Sequence, residues 1–405
     1  MTTSNMNKRC FYLTIGILSM LFSGILYAWS ILKVPFKEVY GWSDSALAFN
    51  FTVTMCFFCL GAFFGSLLSK RFNSRVPLIL SGILVGAGFA ITGIIPRDAY
   101  YILYITYGIL AGTGIGISYN VIVSTVNMWF PDKKGLCSGC LMMGFGISTL
   151  LLGEIISKMF SDPAIGFKKT YIIMGIVIGI ILILSGFLLK RPSKDTTLPK
   201  PKIKTSGSDE VCTKDYSTSE MIKSFTFIRA FVFFIFVTAV GNSVISFARD
   251  MVLSVGATAS LATTLVGVLA IFNGVGRVIT GMVYDILGRR TTMLCANTVT
   301  IVAAAITLVS IVTNSLVLCI IGLCLTGISY GSCPTITAAF TSSFYGQKHY
   351  ATNYSITNFN LIFASFVANI SNSLLISTGS YTAPFIMLLL LSLAALVLNF
   401  SIRRP

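Results

Sequence analysis

Arg277 lies inside an apolar run that begins near Leu261 and ends at Asp285. At ~1.5 Å of rise per residue, the positions between Arg277 and Asp285 put its guanidinium roughly 12 Å inside the end of a membrane-crossing helix. An ionised side chain at that depth is costly, faces a bundle interior or a cavity, and takes a partner. One reading is structural: Arg277 pairs with an acid or with helix-end carbonyls and staples helices. The other is chemical: it binds the carboxylate of a substrate. Acids are scarce, because of the 13 Asp and Glu only Glu154 sits well inside an apolar run. Glu154 precedes Lys158 by one helical turn, where a local ion pair near the interface accounts for it. The spacing therefore favours substrate anchoring for Arg277.

Other polar groups in apolar runs can complete such a site. Tyr27, Tyr119 and Tyr330, in the first, fourth and tenth runs, each offer a hydroxyl and an amphipathic ring. Thr357, Asn358 and Asn360 cluster in the eleventh, which in a membrane means either hydrogen bonds between helices or a wet surface. Trp29 reads as a cavity wall or as an interfacial anchor. Gly108, Gly112 and Gly116, like Gly82 and Gly86, recur every four residues and predict close helix packing. The run Gly112-Thr-Gly114-Ile-Gly116 has no strand before it, so it is not a nucleotide loop. Cys56 and Cys59 fall on a different helix and depth from Cys137 and Cys140, which predicts packing residues and no metal site. His349 is a loop residue. With no nucleophile–base pair and no phosphate-binding loop, the chain is expected to be neither an enzyme nor dependent on a cofactor.

Helices must position these groups, and the composition calls for them. Of 405 residues 55% are hydrophobic and 10% charged, against roughly 25% charged in soluble domains. Twelve apolar runs, near 11–31, 45–68, 76–95, 99–125, 135–159, 169–189, 226–248, 261–284, 292–313, 315–341, 351–378 and 381–402, are each long enough to cross a ~30 Å hydrocarbon core as a helix. Barrel strands would be shorter and alternating. The first run follows Lys8 and Arg9 but ends in Tyr27 and Trp29, not in a small-residue cleavage site, so it reads as a span and not as a signal peptide. A net charge of +16 suggests nucleic acid in a soluble chain; here its placement explains it. With the N-terminus in the cytoplasm, 21 of the 29 Lys and Arg fall on cytoplasmic segments, 7 on external ones, and Arg277 in the membrane, the positive-inside pattern. The polar stretch 190–225 is the one long connection and reads as a cytoplasmic linker between bundles 1–189 and 226–405.

A repeat marks both halves after their second helix. Gly281-Met-Val-Tyr-Asp285-Ile-Leu-Gly288-Arg289-Arg290 and, degenerately, Gly65-Ser-Leu-Leu-Ser-Lys70-Arg71-Phe-Asn73-Ser-Arg75 resemble the loop signature of the major facilitator superfamily. Lys70 stands where the signature has an acid, and cannot accept the hydrogen bonds that acid would take across the cytoplasmic seam. Ser23-Gly24-Ile-Leu-Tyr27-Ala-Trp29, Asn127-Met-Trp129-Phe130-Pro131-Asp132-Lys133-Lys134-Gly135 and Phe272-Asn273-Gly274-Val-Gly276-Arg277 resemble the oxalate/formate antiporter family, which neighbours the monocarboxylate transporters. Pro131 and Asp132 end the fourth helix, and the basic pair after them suits the headgroup layer.

That resemblance implies an all-α membrane protein with the major facilitator fold, twelve transmembrane helices in two six-helix halves, carrying small carboxylates by alternating access. It implies that Tyr27, Tyr119 and Tyr330 face the path beside Arg277, and with Asn273 and Asn358 these make up the expected substrate site. Oxalate carriers of the family place a second cation on the eleventh helix, where alignment from Asn353-Tyr354 puts Leu361. Proton-coupled monocarboxylate transporters carry an Asp one turn before the arginine, where this chain has Asn273, which cannot change charge. The expected function is a monocarboxylate exchanger of the plasma (inner) membrane, monomeric, with the lipid bilayer as its surroundings and no nucleic acid partner. The competing readings are a proton-linked symporter and a carboxylate receptor that binds without transport.

Overall fold

The computed structural model describes residues 3–132, 134–193, 196, 198, 215–346 and 348–402, without the side chains of 3–6, 134, 135 and 285. Twelve helices in it are long and apolar enough to span a membrane: α1 (Asn7–Glu38), α2 (Asp44–Phe72), α3 (Arg75–Thr92), α4 (Tyr100–Asn127), α5 (Leu136–Ser161), α6 (Gly166–Leu188), α7 (Phe225–Ser254), α8 (Ala259–Tyr284), α9 (Ile286–Thr313), α10 (Leu316–Tyr345), α11 (Tyr350–Thr378) and α12 (Thr382–Ser401). Each lies on an apolar run expected from the sequence. The ends differ: α1 continues beyond residue 31 and α7 beyond residue 248, because Lys33, Lys37, Arg249 and Asp250 extend them as polar helix ends. Most of the 190–225 linker lies outside the described residues; its last part holds a short helix, Thr218–Lys223, closed at its start by a Ser217–Glu220 capping box.

Glycine rows let the helix backbones touch, as their spacing predicts. A Cβ on Gly116 of α4 would stand 1.9 Å from the Phe58 carbonyl oxygen of α2, and one on Gly82 of α3 would stand 2.7 Å from Gly179 O of α6. The same device joins α8 to α10, where a Cβ on Gly331 would lie 2.1 Å from Asn273 O. Without a hydrophobic drive between helices in lipid, such close van der Waals contact is what holds the bundle. Contacts also cross between the first six helices and the last six. Gly146 of α5 meets Gly274 of α8, Thr52 and Cys59 of α2 donate to the carbonyls of Ser365 and Asn358 in α11, and Lys33 of α1 pairs with Asp250 of α7 at 3.0 Å.

The two copies of the loop signature share a backbone conformation. Gly288 has φ 74° and ψ 179°, and Asn73, at the matching place, has φ 57° and ψ −156°. That region is nearly closed to side chains, so the repeat survives in geometry where its residues have diverged. Lys70, in place of the signature acid, makes a different seam contact: its Nζ donates to Thr352 Oγ1 of α11 at 2.5 Å. The turn after α4 is tied to α1 by an ion pair between Arg9 and Asp132, with Arg9 4.4 Å over the Phe130 ring; Lys133 and the Lys134 side chain lie outside the described residues.

Relief of the strain at Asn73 is testable. Asn73→Gly should raise the thermal midpoint of the detergent-purified protein, because a non-glycine residue there costs ~1–3 kcal/mol, and Gly288→Val should lower it. Thermal unfolding followed by tryptophan fluorescence gives both values, and an unchanged or lower midpoint for Asn73→Gly would refute the strain.

Candidate functional site

Arg277 projects from α8 with none of its surface exposed. Its Nε donates to Asn273 Oδ1, one turn earlier on the same helix, at 3.0 Å. Its guanidinium carbon stands 5.9 Å from the centre of the Tyr27 ring, within cation–π range. Both terminal nitrogens, Nη1 and Nη2, are buried without a hydrogen-bond partner. The four described ion pairs, Arg9–Asp132, Lys33–Asp250, Lys37–Asp44 and Lys158–Glu154, all lie elsewhere. Arg277 is therefore no helix staple by ion pairing among the described residues. Its fork of donors is the geometry that binds a carboxylate with two parallel hydrogen bonds. Gly146 makes room for it, since a Cβ there would lie 3.5 Å from Arg277 Nε.

Aromatic rings enclose the space beside the arginine. Phe145 of α5 packs edge-on against Tyr27 and Tyr119 at 5.2 Å from each, and Tyr27 meets Tyr330 at 5.5 Å. The Tyr330 hydroxyl is 2.7 Å from Asn242 Oδ1 and 3.0 Å from the Tyr27 hydroxyl; Tyr119 reaches Tyr354 at 3.3 Å. Tyr330 fits against α7 only because residue 241 is glycine: a Cβ there would come within 2.2 Å of its ring. Two small cavities share the Tyr27 ring. One, of about 20 Å³, is also lined by Tyr119, Tyr330, Asn358, Asn360 and Leu361; the other, of about 10 Å³, by Gly146 and Asn273. Each holds about one water at most, so the site is shut tightly around its polar groups.

Helix regularity fails where these residues sit. Tyr27 lies in a 3₁₀ stretch, Gly24–Ala28. The helical hydrogen-bond pattern of α5 breaks at Ile147 and that of α11 at Asn358 and Phe359, while Pro334 interrupts α10 one turn after Tyr330. Proline has no N–H for the carbonyl four residues back. Irregular backbone at membrane depth is tolerated where it faces protein or a cavity, and in transporters it marks the substrate site.

The two faces of the molecule differ. Away from the N-terminus, Lys33 and Asp250 close the gap between α1 and α7, and Lys33 Nζ also lies 3.4 Å from Ser246 O. On the N-terminal face a cavity of about 430 Å³ opens between the halves, lined by Lys70, Arg191, Gly281, Thr335 and Lys348 among others. Thr335 donates to the Arg277 carbonyl at 3.3 Å, so this vestibule reaches the backbone of the arginine.

All six candidate residues are buried, and they converge. Arg277 and Asn273 bond to each other, Tyr27, Tyr119, Tyr330 and Asn358 line one cavity, and Tyr27 bridges the two groups. Asn358 keeps its Nδ2 buried without a partner. The polar cluster of α11 divides: Thr357 bonds to Thr341 and Asn360 to Thr238, while Asn358 and Asn360 also face the cavity. Leu361 stands on its wall. Trp29 is no interfacial anchor: it is buried, and its Nε1 donates to Leu47 O at 3.0 Å, because α1 runs on past it. Glu154 and Lys158 form the expected local pair at 2.8 Å, both exposed. Sequence reading missed Asn242, whose polarity inside an apolar run was a usable signal, and Phe58 and Phe145, which nothing distinguishes from other apolar residues of their helices.

The family model of the Major Facilitator Superfamily matches residues 12–359 and 230–405. The oxalate:formate antiporter of Oxalobacter formigenes is 31% identical over 293 residues, covering 72% of this chain and 67% of its own. Monocarboxylate transporter 12 of Xenopus laevis is 24% identical over 63% of this chain and 58% of its own. The proton:xylose symporter XylE, solved with 6-bromo-6-deoxy-D-glucose, superposes with a TM-score of 0.74 over 100% of this chain and 97% of its own at 13% identity, a likeness of fold alone. The protein is thus a membrane transporter and not an enzyme, a member of the major facilitator superfamily related within it to the oxalate:formate antiporter and the monocarboxylate transporters.

Proposed function

We propose that the protein exchanges small organic monocarboxylates across the plasma (inner) membrane by alternating access, with Arg277 as substrate anchor. Bundles 1–189 and 226–405 move against each other about the central site, joined by linker 190–225, with both termini in the cytoplasm and a single copy of the chain sufficing. One observation carries the reading: the terminal nitrogens of a fully buried Arg277 have no partner, while its Nε is held by a neutral amide. A carboxylate on that fork neutralises the charge as the cavity closes, and Tyr27, Tyr119, Tyr330 and Asn358 supply rings and donors around it. Arg277→Gln should abolish carboxylate uptake into proteoliposomes, with expression and detergent elution near normal. Loss of the folded protein instead would make Arg277 a structural residue.

Substrate charge follows from Leu361. An apolar side chain stands on the cavity wall, so one cation faces the substrate, and a dianion would leave an uncompensated buried negative charge. Formate, lactate or pyruvate should outcompete oxalate at equal concentration, and Leu361→Lys should shift preference towards the dianion. An unmodified protein that prefers oxalate would defeat this charge argument.

Exchange follows from Asn273. Reorienting an empty site means moving a desolvated, uncompensated guanidinium, at an effective cost of several kcal/mol, and each ~1.4 kcal/mol slows a step tenfold. The loaded site has its charge paired in either orientation. Efflux of preloaded labelled acid should therefore be at least about tenfold faster with unlabelled acid outside than without it, and Asn273→Asp, which gives the arginine an internal counter-charge, should speed net efflux and weaken substrate binding. Equal efflux with and without external acid in the unmodified protein would favour a symporter; binding with no flux at all would favour a receptor.

A further inference from the structure

Three cations line the vestibule on the N-terminal face. Lys70 comes from α2, Arg191 follows α6, and Lys348 lies in the turn between α10 and α11; all three line the one cavity of about 430 Å³. No Asp or Glu is among its described lining residues. The cations keep donors to spare: Lys70 bonds to Thr352 Oγ1 and Arg191 Nη2 to Ser69 O at 2.7 Å, while Arg191 Nε is buried without a partner. Burial also lowers the pKa of Arg191 from its usual value, as expected for a cation stripped of water without a counter-charge.

This charge exceeds what a monocarboxylate path needs. Beside the central cavity, of about 20 Å³ and walled by Leu361, stands one cation, Arg277, against the Tyr27 ring; the vestibule is lined by three cations and falls in the size range of small-molecule pockets. We propose that the vestibule is a second anion site, for a multivalent carboxylate of the tricarboxylate class that binds from the N-terminal side, is not carried, and inhibits transport. Its binding rests on the vestibule alone; the inhibition rests also on the exchanger reading. An anion touching Lys70 and Arg191 on one half and Lys348 on the other ties the halves together at this face. It also blocks the approach to Arg277, whose carbonyl Thr335 of the same cavity wall contacts.

Citrate is the probe. Added to detergent-purified protein at ionic strength matched with sodium chloride, it should raise the thermal midpoint saturably, and Lys348→Gln should raise the half-saturating concentration about tenfold, the loss of one charge-assisted contact. Lys348 is exposed, so this variant does not endanger folding; Lys70→Gln provides the second. In sided vesicles, citrate should inhibit formate exchange from the vestibule face only, and labelled citrate should not accumulate. The proposal is overturned by a citrate shift no larger than that of chloride, by a shift unaltered in both variants, by equal inhibition from both faces, by citrate uptake, or by anionic lipid vesicles reproducing the effect that citrate does not. If formate exchange is absent but the citrate shift is present and weakened by both variants, the exchanger reading fails and this site stands.

Discussion

A guanidinium removed from water must have its donors met, and the centre of this protein is arranged around one whose donors are met only in part. Asn273 takes the Nε proton of Arg277, and Tyr27 lies against its cation. Neither contact removes the charge. An amide at position 273 cannot ionise, and a ring face gives about 0.5–2 kcal/mol, less than the several kcal/mol that burying the ion costs. The remaining stabilisation is what the proposed carboxylate substrate would supply. In the exchange we propose, the imbalance that makes the arginine expensive in the empty protein would favour a carboxylate there over a neutral solute.

The backbone around Arg277 is shaped to permit this. Glycines at 146, 274 and 331 bring α5, α8 and α10 into close contact around the fully buried arginine, while irregularities in α1, α5, α10 and α11 fall beside the cavity and not at the helix ends. Glycine-packed pairs such as α2 with α4 and α3 with α6 hold the first half together. The irregular helices are the ones carrying Tyr27, Tyr330 and Asn358. Rigid halves with a yielding seam are what alternating access requires, since motion must be absorbed between the bundles and not within them.

Charge is distributed unequally between the two ends of the seam. Lys33 and Asp250 meet at one end, a pair that adds no net charge to the path. The other end offers Lys70, Arg191 and Lys348 around a wide cavity with no described acid on its walls. An anion approaching there is attracted by positive wall charges whose field is focused by the apolar helices beside them. The replacement of the signature acid by Lys70 contributes to this: it exchanges a latch for a cation that touches Thr352 across the halves.

Much of this was legible without coordinates. Twelve apolar runs, each near 20 residues, determine twelve spans because backbone polar groups in lipid must be satisfied within a helix. A lone deep arginine among acids confined to loops and helix ends determines a charge without an internal partner, for each ionised group in hydrocarbon needs a reason. The loop signatures, the glycine spacing and the Glu154–Lys158 pair were equally local, hence readable. Tertiary structure alone decided what distant residues do to one another. Which ring of 31 Phe and 16 Tyr faces the cavity or packs on its tyrosines depends on helix rotation, so Phe58, on the cavity wall, and Phe145, behind Tyr27 and Tyr119, were invisible. The burial of Trp29 depends on α1 running past it, and the Lys33–Asp250 pair on two helix ends meeting across the halves. Lys70, Arg191 and Lys348, far apart in the sequence, line one cavity only because three separate connections end at it.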